Sequence, residues 1–207
     1  MNKPLPFFYL LLLFLLSPLL SRAQKQGNIW YFGMGAGINF NTSPPSALTD
    51  GQMRADEGVA TLCNSTGQLL FYTDGTVVWN ARQKIMQNGS GLLGGSSSTQ
   101  AAVIVPHPGE RGQFYIFTTS PAHGFRYSQV SMALDEGLGG VVPASKNILL
   151  LPKRESTEKL TATRNSNGRD YWVITHAVGN NKYYVFPVTA AGVGKPLIFP
   201  IGTVIQR

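Results

Sequence analysis

The sequence consists largely of short apolar runs, each ended by Gly, Asn, Ser or Pro, and this punctuation restricts the fold more than any other feature. After residue 24, no stretch keeps the i, i+3, i+4, i+7 apolar spacing of an amphipathic helix beyond one or two turns. The runs are instead rich in Val, Ile, Tyr, Phe, Trp and Thr, which is the composition of strands. With 23 glycines and 13 prolines among its 207 residues, the sequence predicts an all-β protein of many short antiparallel strands.

Three segments share one order of elements, and each begins with a polar residue: Glu57, Gln100 and Glu158. A short apolar strand leads through a first turn to an aromatic strand, and a second turn leads to another aromatic strand. The first turn of each segment contains a glycine, which tolerates a positive φ: Gly67, Gly112 and Gly168. Repetition of this unit predicts β-propeller blades, with the aromatic residues packed between neighbouring blades.

The predicted blades span 57–99, 100–157 and 158–207, and a further strand is expected near 28–40. A propeller usually has about four to eight blades. Another strand also begins in the last residues of the sequence. We therefore expect an incomplete propeller, with the chain a fragment of a longer protein that carries further domains.

The first 23 residues have the features of a secretory signal peptide. Lys3 precedes an apolar run over 6–20, and Ser21-Arg22-Ala23 resembles a signal-peptidase site. The alternative is a membrane anchor, but the run is shorter than the ~20 residues that a bilayer requires. We expect cleavage between Ala23 and Gln24, export to the cell surface or medium, and no membrane span afterwards.

The charge and cysteine content exclude several classes of protein. Lys and Arg number 17 against 10 Asp and Glu, and the basic residues are scattered along the chain. A nucleic-acid-binding protein would concentrate them in one stripe, so the surface is expected to favour acidic polymers instead. A single cysteine, Cys63, rules out an intrachain disulfide, and its alternating apolar surroundings predict a small buried side chain.

The chain resembles a family of large bacterial surface proteins. The resemblance rests on "NIWYFGMGAGINF", on "ALTDGQMRADEGVATLCNSTGQLLFYTDGTVVWNARQKIMQNGSGLLGGSSSTQAAVIVPHPG" and on "STEKLTATRNSNGRDYWVITH". It covers nearly all of residues 28–207 and is to the N-terminal region of gliding-motility-associated proteins, which carry a type IX secretion sorting domain at the far C-terminus. The resemblance implies a WD-like propeller, often followed by immunoglobulin-like repeats. The sequence contains no sorting domain, which again favours a fragment.

The residues that open the repeats are the strongest candidates for a site. If Glu57, Gln100 and Glu158 begin the innermost strand of each blade, all three line a central channel and could form a polar ligand funnel. The alternative is that they hold the joints between blades by hydrogen bonds to backbone amides, which their recurrence favours. His176 ends an aromatic strand, where it is either a channel-facing contact or a hydrogen-bonded structural residue.

Catalytic and cofactor motifs are weak. The glycines of 33–37 lack the third glycine of a dinucleotide fingerprint, no G-x-S-x-G elbow occurs, and one Cys with three separated His predicts neither a metal nor another cofactor. Asp74-Gly75, between two apolar runs, predicts a type I′ hairpin turn rather than a reactive carboxylate.

These features together predict a non-catalytic, exported propeller module that binds a glycan or protein, or acts as a scaffold, at the bacterial cell surface. Two alternatives remain open. One is a propeller-type glycoside hydrolase or lyase that uses Glu57 and Glu158, and the other is a structural spacer within a large adhesin.

Overall fold

A computed structural model describes residues 25–204, so the signal-peptide prediction for 1–23 lies outside the described residues. The described chain is all-β, and its helical content is limited to short 3-10 turns such as Asp135–Gly137. Among these residues, no helix has the length and apolar character needed to cross a bilayer. The fold class predicted from the turn and strand composition is therefore confirmed.

The strands form three sheets. The first sheet contains β1 (Ile29–Phe32), β2 (Ala36–Asn39) and β3 (Ser46–Leu48). The second contains β4 (Ala60–Cys63), β5 (Leu69–Thr73), β6 (Val77–Asn80), β7 (Ile85–Ser90), β8 (Ala102–Pro106), β9 (Gln113–Ser120), β10 (Gly124–Ser131), β11 (Gly140–Val141) and β12 (Ile148–Leu151). The third contains β13 (Ser156–Arg164), β14 (Tyr171–Ala177), β15 (Lys182–Thr189), β16 (Gly192–Val193) and β17 (Leu197–Pro200).

The nine-stranded second sheet consists of two antiparallel halves, β4–β7 and β8–β12. A parallel pairing of β7 with β11, at Gln87 and Gly140, joins the halves. The strands at the two ends of the hydrogen-bonded path, β4 and β8, are in contact. The sheet therefore bends round until it nearly closes on itself.

Each strand of the three predicted repeats is present, and the turn glycines take the conformation expected of them. Gly67, Gly112 and Gly168 have φ values of +89°, +75° and +71°. The prediction was incomplete at the C-terminal end of each unit, because it lacked β7, β11, β12 and β16. The further strand expected in the last residues of the sequence is present as β17. Residues 28–40 also hold two strands rather than one, and β3 completes the three-stranded first sheet with them.

Three hydrophobic clusters form the core, and each lies between successive groups of strands. The first joins β1 and β3 to β5 and β6, the second joins β5–β7 to β8–β11, and the third joins β8–β12 to β13–β15. Alternate residues of one strand serve different clusters, because successive side chains of a strand point to opposite faces. Phe71 belongs to the second cluster, for example, while Tyr72 belongs to the first. The groups of strands are thus stacked face to face in chain order.

Both ends of this stack leave apolar side chains exposed. Trp30 is 53% exposed on the first sheet, where its ring meets Phe40 edge-on at 5.2 Å between centroids. Leu197 and Phe199 are 50% and 44% exposed on the third sheet. The inner groups of strands, by contrast, contribute to a buried cluster on each of their two faces.

The Asp74-Gly75 turn differs in type from the sequence prediction. A type I′ turn requires positive φ at both central residues, and Gly75 has φ +85° whereas Asp74 is not among the residues with positive φ. The type I′ prediction was therefore wrong, although a turn is present. Asp74 Oδ1 instead accepts hydrogen bonds from the backbone amides of Thr76 at 2.7 Å and Val77 at 2.8 Å, so the carboxylate stabilises its own turn.

Candidate functional site

The polar residues predicted to open each repeat lie together at one edge of the stacked sheets. The backbone amide of Gln100 donates to the carbonyl oxygen of Glu158 at 3.0 Å. The side-chain oxygen of Gln100 accepts from the backbone amide of Leu160 at 3.0 Å. Ser98 Oγ donates to Glu158 Oε1 at 3.1 Å. Gln100 and Glu158 therefore take part in one hydrogen-bonded joint between the second and third sheets.

Glu57 lies on the other side of Gln100. Its neighbour Gly58 donates its backbone amide to the carbonyl oxygen of Ser98 at 3.1 Å. Gly58 also lies so close to the next segment that an added Cβ would come within 2.2 Å of the backbone nitrogen of Ala101. Glu57 itself is exposed. The structure thus brings the three residues into one strip, with the side chains of Gln100 and Glu158 engaged in the joint.

His176 is a buried residue with 4% of its surface exposed. Its Nδ1 lies 2.6 Å from the carbonyl oxygen of Ala177, so the proton on Nδ1 donates to that oxygen. The ring meets Tyr183 edge-on at 4.4 Å between centroids. Its Nε2 is buried and has no hydrogen-bond partner. This packing suits the structural role that the sequence left open, rather than an exposed contact for a ligand.

A cleft of about 700 Å³ lies where the first turns of the three repeats meet. These turns connect β4 to β5, β8 to β9 and β13 to β14, and they hold the three glycines of positive φ. The residues that line the cleft come from all three repeats and from the start of the described chain: Gln26, Leu62, Cys63, Asn64, Ser65, Leu70, Pro106, Arg111, Gly112, Phe114, Met132, Arg164 and Tyr171. A space of this size is within the usual range of ligand sites, about 300–1,000 Å³.

The cleft combines an apolar base with two guanidinium groups. Leu70, Phe114 and Met132 supply apolar surface, and Arg111 and Arg164 are exposed above it. None of the residues that line the cleft is an Asp or Glu. A few polar groups above apolar walls is the usual composition of a ligand site.

Tyr171 holds Arg164 in position. Arg164 Nη2 donates a hydrogen bond to Tyr171 Oη at 3.3 Å, and the guanidinium carbon lies 5.7 Å from the centroid of the tyrosine ring. Tyr171 in turn packs against the core cluster between the second and third sheets. The ring therefore connects an exposed cation to the rigid core.

The acidic residues in these turns form hydrogen bonds and an ion pair with residues other than Arg111 and Arg164. Glu110 accepts a hydrogen bond from the side chain of Gln113. Asp170 pairs with Arg169 at 3.1 Å and accepts from Asn167 at 2.8 Å. The hydrogen bond from Arg169, followed by that from Asn167, lowers the pKa of Asp170, which is therefore ionised. The acids of the turns thus leave the guanidinium groups of Arg111 and Arg164 uncompensated.

Cys63 contributes little chemistry to the cleft. The residue is 1% exposed, and burial raises the pKa of its thiol. A raised thiol pKa reduces the fraction of thiolate, which is the reactive form. The sequence prediction of a buried cysteine is confirmed.

Within residues 25–204, no group of three or more His, Cys, Asp and Glu is placed to hold a metal ion. A second cavity of about 680 Å³ lies between the first sheet and the strands β4 and β8. Its walls are almost entirely apolar and include Trp30 and Phe32. It lacks the convergent polar groups that characterise the cleft.

Sequence reasoning missed Arg111, Arg164 and Tyr171. Scattered basic residues were assigned to the general surface, because only the fold brings turns of different repeats together. The available signal was positional: Arg111 lies in the glycine turn of its repeat, and Arg164 and Tyr171 lie on either side of the corresponding turn in the next.

Comparisons with protein-family models, with curated proteins and with solved structures returned no match to the chain.

Proposed function

We propose that the chain is an exported, non-catalytic β-propeller module that binds a ligand at the bacterial cell surface. The observation that carries this proposal is the cleft at the three glycine turns, with Arg111 and Arg164 above an apolar base. This site identifies the function better than the fold does, because one fold can serve many functions.

The arrangement of strands supports the propeller part of the proposal. Most of the chain consists of consecutive antiparallel strands, stacked so that each inner group contributes to a buried cluster on either face. The first strands of successive groups are in contact, β1 with β4, β4 with β8 and β8 with β13. Blades around a common axis bring their innermost strands together in this way. The exposed apolar faces of the first and third sheets suit packing against further sheets or a partner.

The use of the candidate acids supports a non-catalytic role. A glycosidase places two carboxyl groups on either side of the bond that it cleaves, about 5–9.5 Å apart. The carboxylate of Glu158 is bound to Ser98, and no carboxylate lines the cleft. The cleft also favours ligand binding over the role of a passive spacer.

The location rests on the sequence. The apolar run before Ser21-Arg22-Ala23 supports export. The resemblance to gliding-motility-associated surface proteins supports the cell surface as the destination. Sequencing the N-terminus of the protein recovered from the medium or the cell surface tests this part, with Gln24 expected as the first residue.

Ligand binding is tested by filling the cleft. Ser65 is exposed and lines the cleft, whereas Ser166 occupies the exposed turn of another repeat and does not line it. We expect the wild-type protein to bind a subset of a glycan and surface-protein array. Ser65→Trp should lose this binding, and Ser166→Trp should retain it. A flat array with the wild-type protein, or equal binding by both variants, would contradict the proposed function.

A further inference from the structure

We propose that the cleft selects an acidic saccharide, in which a carboxylate or sulfate group binds Arg111 and Arg164. This inference rests on the proposed ligand-binding function and specifies the chemistry of the ligand. Three observations support it: the two guanidinium groups, the contact of Arg164 with Tyr171, and the apolar lining of the cleft.

Arg164 is prepared for an anion before any ligand arrives. The one described hydrogen bond of its side chain uses a single N–H, directed at Tyr171 Oη. A guanidinium carries five N–H groups, so the remaining donors can bind an oxyanion in the bidentate manner that arginine favours. Because Tyr171 restrains the side chain, less conformational entropy is lost on binding.

Arg111 brings the second charge from a different repeat. It lies in the turn between β8 and β9, whereas Arg164 ends β13, and both residues line the cleft. Across residues 25–204 a single ion pair is formed, between Arg169 and Asp170. Neither arginine of the cleft is therefore neutralised by a carboxylate, and their fields add within it.

The base of the cleft matches a sugar ring better than a peptide. Leu70, Phe114 and Met132 offer an apolar surface for the C–H face of a ring, and Gln26 and Ser65 place an amide and a hydroxyl group at its rim. Extended and helical peptides are recognised along an exposed strand edge or in a groove, but arginine clusters also bind acidic peptide motifs. A poly-glutamate peptide is therefore the competing ligand that the test must exclude. The cleft is instead lined by turn residues and by the adjoining strand residues of three repeats, so it offers a pocket for a compact charged ring.

The test measures dissociation constants by isothermal titration calorimetry with three probes. An oligogalacturonate carries carboxylates, a heparin-derived oligosaccharide carries sulfates, and a maltooligosaccharide is neutral. We expect one or both acidic probes to bind, which identifies the anionic group, and the neutral probe to bind at least tenfold more weakly. Binding of the acidic probes should weaken as salt is raised.

The variants are Arg111→Gln and Arg164→Gln, with Arg82→Gln as the control. Arg82 is exposed in the turn between β6 and β7, outside the cleft, and its replacement removes the same charge. Each cleft variant should weaken acidic binding at least tenfold, while the control stays within about twofold. Arg164→Lys keeps the charge but loses the bidentate geometry, and we expect an intermediate loss. Circular dichroism and thermal melting establish that every variant is folded.

Several outcomes would overturn the inference. These are equal weakening by Arg82→Gln, unchanged affinity in both cleft variants, or equally tight binding of a poly-glutamate peptide. If a neutral sugar binds and Ser65→Trp abolishes that binding, the acidic specificity fails while the proposed function stands. If no glycan or surface protein on the array binds the wild-type protein, both fail.

Discussion

The side-chain oxygen of Gln100 accepts a hydrogen bond from the backbone amide of Leu160 at 3.0 Å. A side chain at the start of one repeat thereby satisfies a backbone donor at the start of the next. Leu160 is 3% exposed, and the register of β13 with β14 shifts between Ser156 and Leu160. The side chain of Gln100 thus supplies an acceptor beside an irregular part of the ladder.

Replacement of Gln100 by Ala should weaken this joint. The amide of Leu160 would lose its partner, at a cost of about 1 kcal/mol in the free energy of unfolding. Urea denaturation measures this loss, and hydrogen exchange should be faster at the Leu160 amide. Thr99→Ala, an exposed neighbouring change, serves as the control. Unchanged exchange at Leu160 in Gln100→Ala would show that the side chain does not hold the joint.

Addition of a methyl group at Gly58 should separate two segments that touch. A Cβ there would lie 2.2 Å from the backbone nitrogen of Ala101, and backbone cannot move aside as a flexible side chain can. We expect Gly58→Ala to lower the free energy of unfolding by about 1–3 kcal/mol. Gly27→Ala, where no atom lies within 4 Å, should change it by less than about 0.5 kcal/mol. Equal midpoints for the two variants in a urea titration would refute the close approach.

Removal of the Phe186 ring tests the packing between the second and third sheets. The residue is fully buried, and its ring lies 5.4 Å from that of Phe125 between centroids. Phe186→Ala should cost about 3–5 kcal/mol through lost burial and a residual cavity. Leu197→Ala, at a position 50% exposed on the third sheet, should cost far less. Equal destabilisation of the two variants in guanidinium chloride would contradict the assignment of the core.

Acid should remove the contribution of Asp170 to stability. Hydrogen bonds from Arg169 and Asn167 lower the pKa of this carboxyl in the folded state. The stabilisation is thus present above the unfolded value of about 3.9 and is lost as the pH falls through the folded value. The difference in unfolding free energy between the wild-type protein and Asp170→Asn should shrink between about pH 5 and pH 3. A difference that is constant over this range would exclude the ion pair as its source.

Alkaline conditions should remove the contribution of Tyr184 to stability, because its phenol ionises. Burial, and then its hydrogen bond to Glu155, raise the pKa of this phenol to about 12. A raised folded pKa stabilises the protein below the unfolded value of about 10, and this stabilisation is lost as the pH rises toward 12. Tyr184→Phe should remove one late-titrating phenol from the ultraviolet absorbance titration and reduce the loss of stability above about pH 10. An unchanged titration above pH 11 would contradict the assignment.

Local sequence was sufficient for the strands on either side of the glycine turns. Aromatic alternation and a residue of positive φ at Gly67, Gly112 and Gly168 specify these hairpins within a few residues. Strand β7 was missed because its sequence, IMQNGS, is polar and largely exposed. Strands β11 and β16 contain two residues each, and they exist only because a longer neighbour offers them a partner.

The joint and the cleft differ in how far sequence could predict them. The repeats placed Glu57, Gln100 and Glu158 at equivalent positions, and the structure brings them into one strip. The cleft depends instead on turns from three repeats meeting in space, which no local pattern encodes. The type I′ expectation at Asp74 failed because its carboxylate favours a different local conformation, in which Oδ1 caps the amides of Thr76 and Val77.

The stacking of the sheets in chain order has a consequence for how the protein can be made. Each group of strands forms mostly from contiguous chain, so a group can assemble as soon as its own residues have left the ribosome. Its apolar face is then ready for the group that follows, as Phe71 and Val78 are for Ile116 and Val130. Assembly can therefore advance from the N-terminal sheet towards Leu197 without long-range rearrangement. Each group of strands packs on the apolar face of the group before it.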